Sequence, residues 1–234
     1  IENKADEQNN LIKLKNQLRI NADKQTVDWI RALTDERIIK PFHKDSKGYD
    51  LRVFDNPVEM YHEIKRLNGD RENAGLSRLL ATFDWPYKQK GRPDDAPYWM
   101  VTTGGLSLPW NLQLPIDESQ SHLKKHLSWA EQNQTVDEVG STYTIQGFDL
   151  NYAAVIIGPS VKYVDGQIVF DPEKSENKNA VRNRTLSNGE KAQVSDELLA
   201  NELNVLLTRG VNGLFIYASD EILKKQLRSV LVCD

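Results

Sequence analysis

The chain has 234 residues, of which 39% are hydrophobic and 27% are charged, and its formal net charge is −4. These ordinary values predict one main globular domain with a sizeable core, and they exclude a wholly disordered chain. The longest uninterrupted apolar stretch, Ala153 to Ile157, is far below the roughly 18 residues that a transmembrane helix needs. We therefore expect a cytoplasmic protein without a membrane partner.

The charges and the potential metal ligands limit which binding sites the chain can form. With 30 basic and 34 acidic residues, the chain has no global attraction to nucleic acid, so such binding would need a local channel of basic and aromatic groups. The single cysteine, Cys233, excludes an intrachain disulfide and a cysteine-based metal site. His122 and His126 have helical spacing but no acidic or sulfur ligand at a matching distance, so the sequence predicts no metal site.

The first part of the chain predicts helices alternating with strands. Residues 1–10 are polar and are typical of a linker from a preceding domain. A helix is predicted with Thr26 as its N-cap, because Val27, Ile30 and Leu33 recur at helical spacing. The elements predicted next are a strand at 51–54, a helix from Pro57 to about Leu67, and a strand from Arg78 to Phe83.

An irregular segment at 84–138 interrupts this alternation, and we interpret it as an insertion. One helix is predicted within it, near Ser121 to Gln132. The insertion contains four of the five tryptophans: Trp85, Trp99, Trp110 and Trp129. Because aromatic side chains supply both core area and stacking faces, the tryptophans could form a small core under the loops or could contact bases.

The second part of the chain predicts the centre of a sheet. Ser141–Ile145 and 153–158 are continuous apolar or β-branched runs, which favour central strands of a parallel sheet with helices on both faces. The elements predicted after them are a hairpin at 161–170 with Asp165-Gly166 as its turn, a flexible loop at 171–194, a helix capped by Ser195 and stopped by Gly210, a strand at 214–218, and a final helix. The predicted fold class is α/β with a mainly parallel sheet.

Polar residues near the predicted strand ends form the candidate site. Ligands of open parallel sheets bind at the carboxyl ends of the strands. Guanidinium, carboxylate and glycine groups together suit a phosphate and a ribose, because glycine permits close approach of the backbone. The candidates are Gln146, Gly147 and Asp149 after the strand ending near Ile145, Thr208 and Arg209 before the last strand, and Gln17 and Arg19 at the end of the first segment.

Three stretches carry a family resemblance. LKNQLRI, STYTIQGFDLNYAAVIIG and NELNVLLTRGVNGLFIYAS resemble, in order, the fourth, fifth and sixth motifs of superfamily-one DNA/RNA helicases. SRLLATFDWPY, together with the extended fifth and sixth stretches, resembles an uncharacterised bacterial family of helicase-like ATPases related to the Schlafen helicase domain. The resemblance runs from about Leu11 to Leu227. It implies a RecA-like, P-loop NTPase-type domain over residues 11–234, with ATP and Mg²⁺ as cofactors of the full-length protein.

The resemblance also implies roles for single residues. Arg209 corresponds to an arginine finger that stabilises charge during phosphoryl transfer, although an arginine in the last turn of a helix also suits the helix dipole. Arg19, with Gln17 beside it, corresponds to a second γ-phosphate contact, and the alternative is an exposed surface pair. Gly147 and Asp149 correspond to residues near the phosphate and ribose, and the alternative is a capped turn.

The implied nucleic-acid contacts are Tyr143 and Thr144 in the fifth motif and Trp85 in the insertion. Tyr143 stands where many relatives have histidine, and Asp149 stands where the usual acid is glutamate. The sequence has no G-x-x-x-x-G-K-[ST] and no Asp-Glu pair ending an apolar strand, so the groups that cradle phosphates and Mg²⁺ are missing. We therefore interpret the chain as the second RecA-like half of a helicase, whose partners are an N-terminal RecA-like half and single-stranded DNA or RNA.

Three functions remain open at this point. The first is an ATP-driven helicase or translocase, to which this chain supplies the arginine finger. The second is a helicase-like binding or regulatory module without motor activity. The third is a small-molecule enzyme of doubly wound fold, which is the weakest because no pair of nucleophile and base stands out.

Overall fold

The computed structural model describes residues 19–70, 72, 75–123, 126–182, 184–185, 191–192 and 194–231. Gln17 and the predicted linker at 1–10 therefore lie outside the described residues. The α-helices are α1 (Lys24–Arg31), α2 (Pro57–Gly69), α3 (Lys178–Val181), α4 (Ser195–Leu207) and α5 (Glu221–Leu231). The strands are β1 (Asp50–Val53), β2 (Ser77–Ala81), β3 (Met100–Thr103), β4 (Leu106–Pro109), β5 (Val139–Gly140), β6 (Leu150–Ile157), β7 (Val161–Val164), β8 (Gln167–Phe170), β9 (Arg184–Thr185), β10 (Lys191–Ala192) and β11 (Gly210–Ala218).

A parallel sheet of five strands forms the centre, in the order β1-β11-β6-β2-β5. Consecutive residues of the central strand β6 alternate between two separate cores: Ala153, Val155 and Ile157 belong to one, and Ala154 and Ile156 to the other. A strand buried on both faces needs apolar residues at every position rather than at every second one. The predicted α/β fold with a mainly parallel sheet is confirmed, and it is consistent with a RecA-like fold.

Helices cover both faces of the sheet. Leucines of α4 and α5 pack with α1 in the first core, whereas Met60 and Ile64 of α2 pack in the second core beside the antiparallel β3–β4 hairpin. Trp110 and Trp129 are buried, one in each core, and Trp85 and Trp99 are partly buried against the second core. Of the two roles considered for the tryptophans, a core under the loops or contact with bases, Trp110 and Trp129 therefore have the core role.

The ends of two helices differ from the sequence prediction. The N-cap of α1 is Asp23, whose carboxylate accepts from the Thr26 backbone N–H. Thr26 instead lies inside the helix and its buried hydroxyl donates to Asp45.

Ser195 likewise lies inside α4, which has no side-chain cap. That helix ends at Leu207, and Gly210 opens β11 instead of stopping the helix.

Two further predictions of local structure were wrong. Ser141–Ile145 forms turns rather than a strand, because the Thr144 hydroxyl bonds to the Ser141 backbone and the Ser141 hydroxyl accepts from the Tyr143 N–H, and these bonds compete with strand pairing. The described residues near Ser121 to Gln132 contain part of a 3₁₀-helix, Glu118–Leu123, and turns instead of an α-helix. The described residues of the segment 171–194 include the 3₁₀-helix Pro172–Lys174, α3 and the short strands β9 and β10, and the flexibility of this segment stays a prediction. The hairpin at 161–170 was predicted correctly.

Within the described ranges, we find no helix with the length and apolar character needed to cross a membrane.

Candidate functional site

The candidate residues meet at the amino edge of the sheet, not at its carboxyl edge as predicted. Gln146, Gly147 and Asp149 precede β6, and Arg209 directly precedes β11. The prediction was wrong because the strand expected before Gln146 is a turn, so the strand that positions these residues is the following one. The fifth- and sixth-motif residues are nevertheless neighbours, because Leu150 and Gly210 pair in register.

Main-chain bonds hold this edge together. The Leu150 N–H donates to the Arg209 carbonyl at 2.8 Å. Asp149 and Arg209 are therefore neighbours, and each lies just before one of two adjacent strands. The Asn21 N–H donates to the Val211 carbonyl at 2.8 Å. This bond ties the segment that begins at Arg19 to the start of β11. Three stretches that are far apart in the sequence therefore converge at one point.

The Asp149 carboxylate lies between two guanidinium groups. Its Oδ1 is 3.7 Å from Arg209 Nη1 and 3.6 Å from Arg19 Nε. The Arg209 side chain is only 8% exposed, whereas those of Asp149 and Arg19 are 40% and 49% exposed. The cluster thus has a buried cation on the inside and a partly exposed anion and cation toward solvent.

Arg209 has further contacts that fix its position. Its Nη1 donates to the Phe148 carbonyl at 3.2 Å, while its buried Nε has no hydrogen-bond partner among the described residues. Burial, and then the positive charge of Arg19, lower the pKa of Arg209, and the Asp149 carboxylate opposes that shift. Arginine stays protonated at neutral pH, so Arg209 is a desolvated cation whose buried Nε–H is unpaired among the described residues.

The turn before β6 leaves room for a ligand near the backbone. Gly147 has φ of +85°, a left-handed conformation that favours glycine, and no atom of the described residues other than its chain neighbours lies within 4 Å of the position that a Cβ would take. Gln146 is exposed beside it. Thr208 differs, because its hydroxyl donates to the Asn204 carbonyl at 2.7 Å and is satisfied within α4.

One cavity adjoins this cluster, and a second one shares part of its wall. The first, of 410 Å³, is lined by Arg209, Gln146 and Tyr143 among others, and the second, of 790 Å³, is also lined by Tyr143. Tyr143 and Asn177 line both. The two cavities therefore lie side by side and meet at Tyr143, which is 52% exposed.

The predicted nucleic-acid residues occupy different surroundings. Tyr143 and Thr144 line the larger cavity, but Trp85 lines neither cavity. The Trp85 indole N–H donates to the Thr102 carbonyl at 3.1 Å, and its ring packs edge-on against Trp110. Thr144 Oγ1 accepts from the Ser141 N–H and donates to the Ser141 carbonyl, so it shapes the turn.

A buried polar chain behind Tyr143 was missed by the sequence reading. The Tyr143 hydroxyl donates to Asn177 Oδ1 at 2.9 Å, and Asn177 Nδ2 donates to Glu202 Oε2 at 2.6 Å. Glu202 Oε1 also accepts from the Phe83 N–H. Burial raises the pKa of Glu202 despite these two donors. The sequence does contain a signal for the burial of Glu202, because this charged residue lies at helical spacing between Leu199 and Leu206 on the apolar face of α4.

Comparison with known proteins places these residues in a family context. The family model described as "Schlafen group 3, DNA/RNA helicase domain" matches residues 1–220. The uncharacterized protein YPL245W of Saccharomyces cerevisiae is 33% identical over 229 residues, which cover 92% of this chain and 47% of the yeast protein. The chain thus spans about half the length of that relative. No solved structure matches the chain.

Proposed function

Because the chain belongs to the Schlafen group 3 family of DNA/RNA helicase domains, we propose that it is part of an ATP-driven nucleic-acid helicase or translocase. In this proposal the chain supplies an arginine finger and part of the nucleic-acid track. The observation that carries the proposal is the convergence of Arg209, Asp149 and Arg19 at one sheet edge, next to an open backbone turn.

The residues at this edge have the chemistry that a nucleoside triphosphate requires. Two guanidinium groups can neutralise phosphate oxygens, and the open backbone at Gly147 allows close approach. The Asp149 carboxylate can accept from ribose hydroxyls. Bound ATP supplies the phosphoryl group whose transfer to water releases free energy. We assign the binding of Mg²⁺ to the N-terminal RecA-like half, because this sequence has no Walker motifs.

Arg209 is suited to act on charge that develops during the reaction. A desolvated guanidinium interacts more strongly with an anion than an exposed one does, because water screens it less. The Phe148 carbonyl and Asp149 hold Arg209 in place, and its Nε is buried and has no partner among the described residues. Arg19 and Asp149 are more exposed, so we assign them to binding and orientation.

ATP hydrolysis by the full-length protein tests the proposal. We expect single-stranded DNA or RNA to stimulate hydrolysis, and Arg209→Ala to reduce the stimulated rate about 10³- to 10⁵-fold while nucleotide binding is largely kept. Arg66→Ala is the matched control, since Arg66 pairs with Glu63 on the exposed face of α2. An Arg209→Ala protein with the same rate as the Arg66→Ala protein would contradict the proposal.

A second candidate is a helicase-like binding or regulatory module without motor activity. The observation in its favour is that Arg209 and Arg19 already share Asp149, and that the Tyr143 hydroxyl is already bonded to Asn177. Because these side chains already bind one another, they can stabilise the turn before β6 when no nucleotide is bound. Tight binding of single strands that does not respond to ATP in the full-length protein would favour this candidate.

A further inference from the structure

The larger cavity has the size and walls of a small-ligand pocket. Its volume of 790 Å³ falls within the range of about 300–1,000 Å³ that such pockets occupy. Phe83, Tyr87 and Tyr143 contribute aromatic rings, and Asn111 contributes an amide. Most of these groups come from the irregular insertion or from its borders, not from the sheet edge that carries Arg209.

The two tyrosine rings are held in place before any ligand arrives. Both make edge-on contacts with Phe83, at centroid distances of 6.4 Å for Tyr87 and 5.4 Å for Tyr143. Their hydroxyls are also anchored, since Tyr87 donates to the Asn111 carbonyl and Tyr143 donates to Asn177 Oδ1. Rings fixed at both ends lose little conformational freedom when a flat ligand packs against them.

Asn111 presents a polar group that the fold does not use. Its backbone N–H donates to the Val139 carbonyl at 3.0 Å and its carbonyl accepts from Tyr87, whereas its buried Oδ1 has no partner among the described residues. Its φ of +61° is a left-handed conformation in which asparagine is enriched, so the backbone accounts for the residue type. The unpaired buried Oδ1 costs stability, and the described residues supply no partner that offsets this cost.

The charges at the rim favour an anionic ligand. Lys88 and Lys178 line the cavity, and Glu176 is the acidic residue in the lining. Stacking rings, an amide and two ammonium groups together match a base with its neighbouring phosphates. An aliphatic ligand would use neither the amide nor the ammonium groups.

We propose that this cavity holds one unstacked base of a single-stranded nucleic acid, with Tyr87 and Tyr143 against its faces and the Asn111 amide at its edge. The proposal rests on the nucleic-acid-binding part of the proposed function, and it is independent of ATP hydrolysis. Because the cavity adjoins the one lined by Arg209, a strand held here passes beside the nucleotide-facing edge.

Fluorescence anisotropy on the full-length protein tests the proposal. The probes are a labelled oligo(dT), a labelled oligo(rU), and an abasic strand of equal length and charge. We expect the wild type to bind at least one base-bearing strand more tightly than the abasic strand. Tyr143→Leu should weaken binding of the base-bearing strand about 5- to 150-fold and leave the abasic strand unaffected, whereas Tyr143→Phe should retain tight binding because it keeps the ring.

Two further variants make the test specific. Asn111→Gly removes the amide without backbone strain, since glycine accepts the positive φ, and it should reduce the preference among bases. Tyr163→Leu is the control, because Tyr163 lies on β7 and lines neither cavity. Thermal denaturation of each variant shows whether it is folded.

Several results would overturn the proposal. One is a wild type that binds abasic and base-bearing strands equally, and another is a Tyr143→Leu protein that loses the same affinity for both. Binding of free AMP as tight as that of the strand would assign the cavity to a mononucleotide instead. Failure of the ATP hydrolysis test alone would remove the motor and leave the base pocket standing.

Discussion

Asp149 and Arg209 each lie one residue before a strand, and the two strands are adjacent and parallel. Asp149 Oδ1 is 3.7 Å from Arg209 Nη1. This pairing depends on register, because Leu150 is opposite Gly210. The sheet therefore brings together two residues that are separated by 60 positions in the chain.

Removing the carboxylate should destabilise the protein. Asp149→Ala leaves the buried Arg209 beside Arg19 without an anion, and we expect the free energy of unfolding to fall by about 1 kcal/mol. Urea denaturation measures this change. Glu36→Ala, which removes an exposed partner of the exposed Lys40, should change stability by less than about 0.5 kcal/mol. Equal losses in the two variants would show that the Asp149 cluster has no special strength.

Gly158 follows the central strand β6 at a position with no space for a side chain. A Cβ there would lie 2.3 Å from Asp84 Oδ2 and 2.8 Å from Thr82 Oγ1. Gly158→Ala should therefore cost about 1–3 kcal/mol in overpacking. Gly69→Ala, at the end of α2 where a Cβ would have no described atom within 4 Å apart from its chain neighbours, should be neutral or stabilising by up to about 1 kcal/mol. Thermal denaturation should order the two variants in this way, and the reverse order would contradict the predicted clash.

The N-cap of α1 gives a pH-dependent prediction. Backbone N–H groups of Ser46 and Thr26 bond to the Asp23 carboxylate and hold its pKa well below the usual range. A depressed pKa in the folded state stabilises the protein above the ordinary pKa of aspartate, and this contribution is lost as the pH falls through the folded value. Asp23→Ala should cost about 0.5–2 kcal/mol at neutral pH. Unfolding measured across acidic pH should show the difference shrinking, and a constant difference would exclude the carboxylate as the cause.

Glu202 should affect stability with the opposite sign. Because burial raises its pKa in the folded state, ionisation of Glu202 disfavours folding. The wild type should lose this stability as the pH rises from the ordinary glutamate pKa through the raised value. Glu202→Gln should remove that part of the pH dependence, whereas Glu197→Gln on the exposed side of α4 should keep it. Identical pH profiles of the two variants would contradict the prediction.

The sequence by itself determined the fold class and most of the central elements. Continuous apolar runs such as 153–157 favour strands buried on both faces of a sheet, and leucines at helical spacing define the buried face of α4. The fifth- and sixth-motif stretches likewise indicated the family, because they carry distinctive residues in a fixed order. These features depend on local composition and spacing, which a single sequence contains.

Only the tertiary structure decided which edge of the sheet carries the site and which polar residues are buried. Local bonds of the Ser141 and Thr144 hydroxyl groups stabilise a turn where a strand was predicted, and the candidate residues therefore lie at the amino edge. The contact of Tyr143 with Asn177, and of Asn177 with Glu202, joins residues 25 or more positions apart. Such contacts are set by strand register and helix packing, which no local pattern in the sequence encodes.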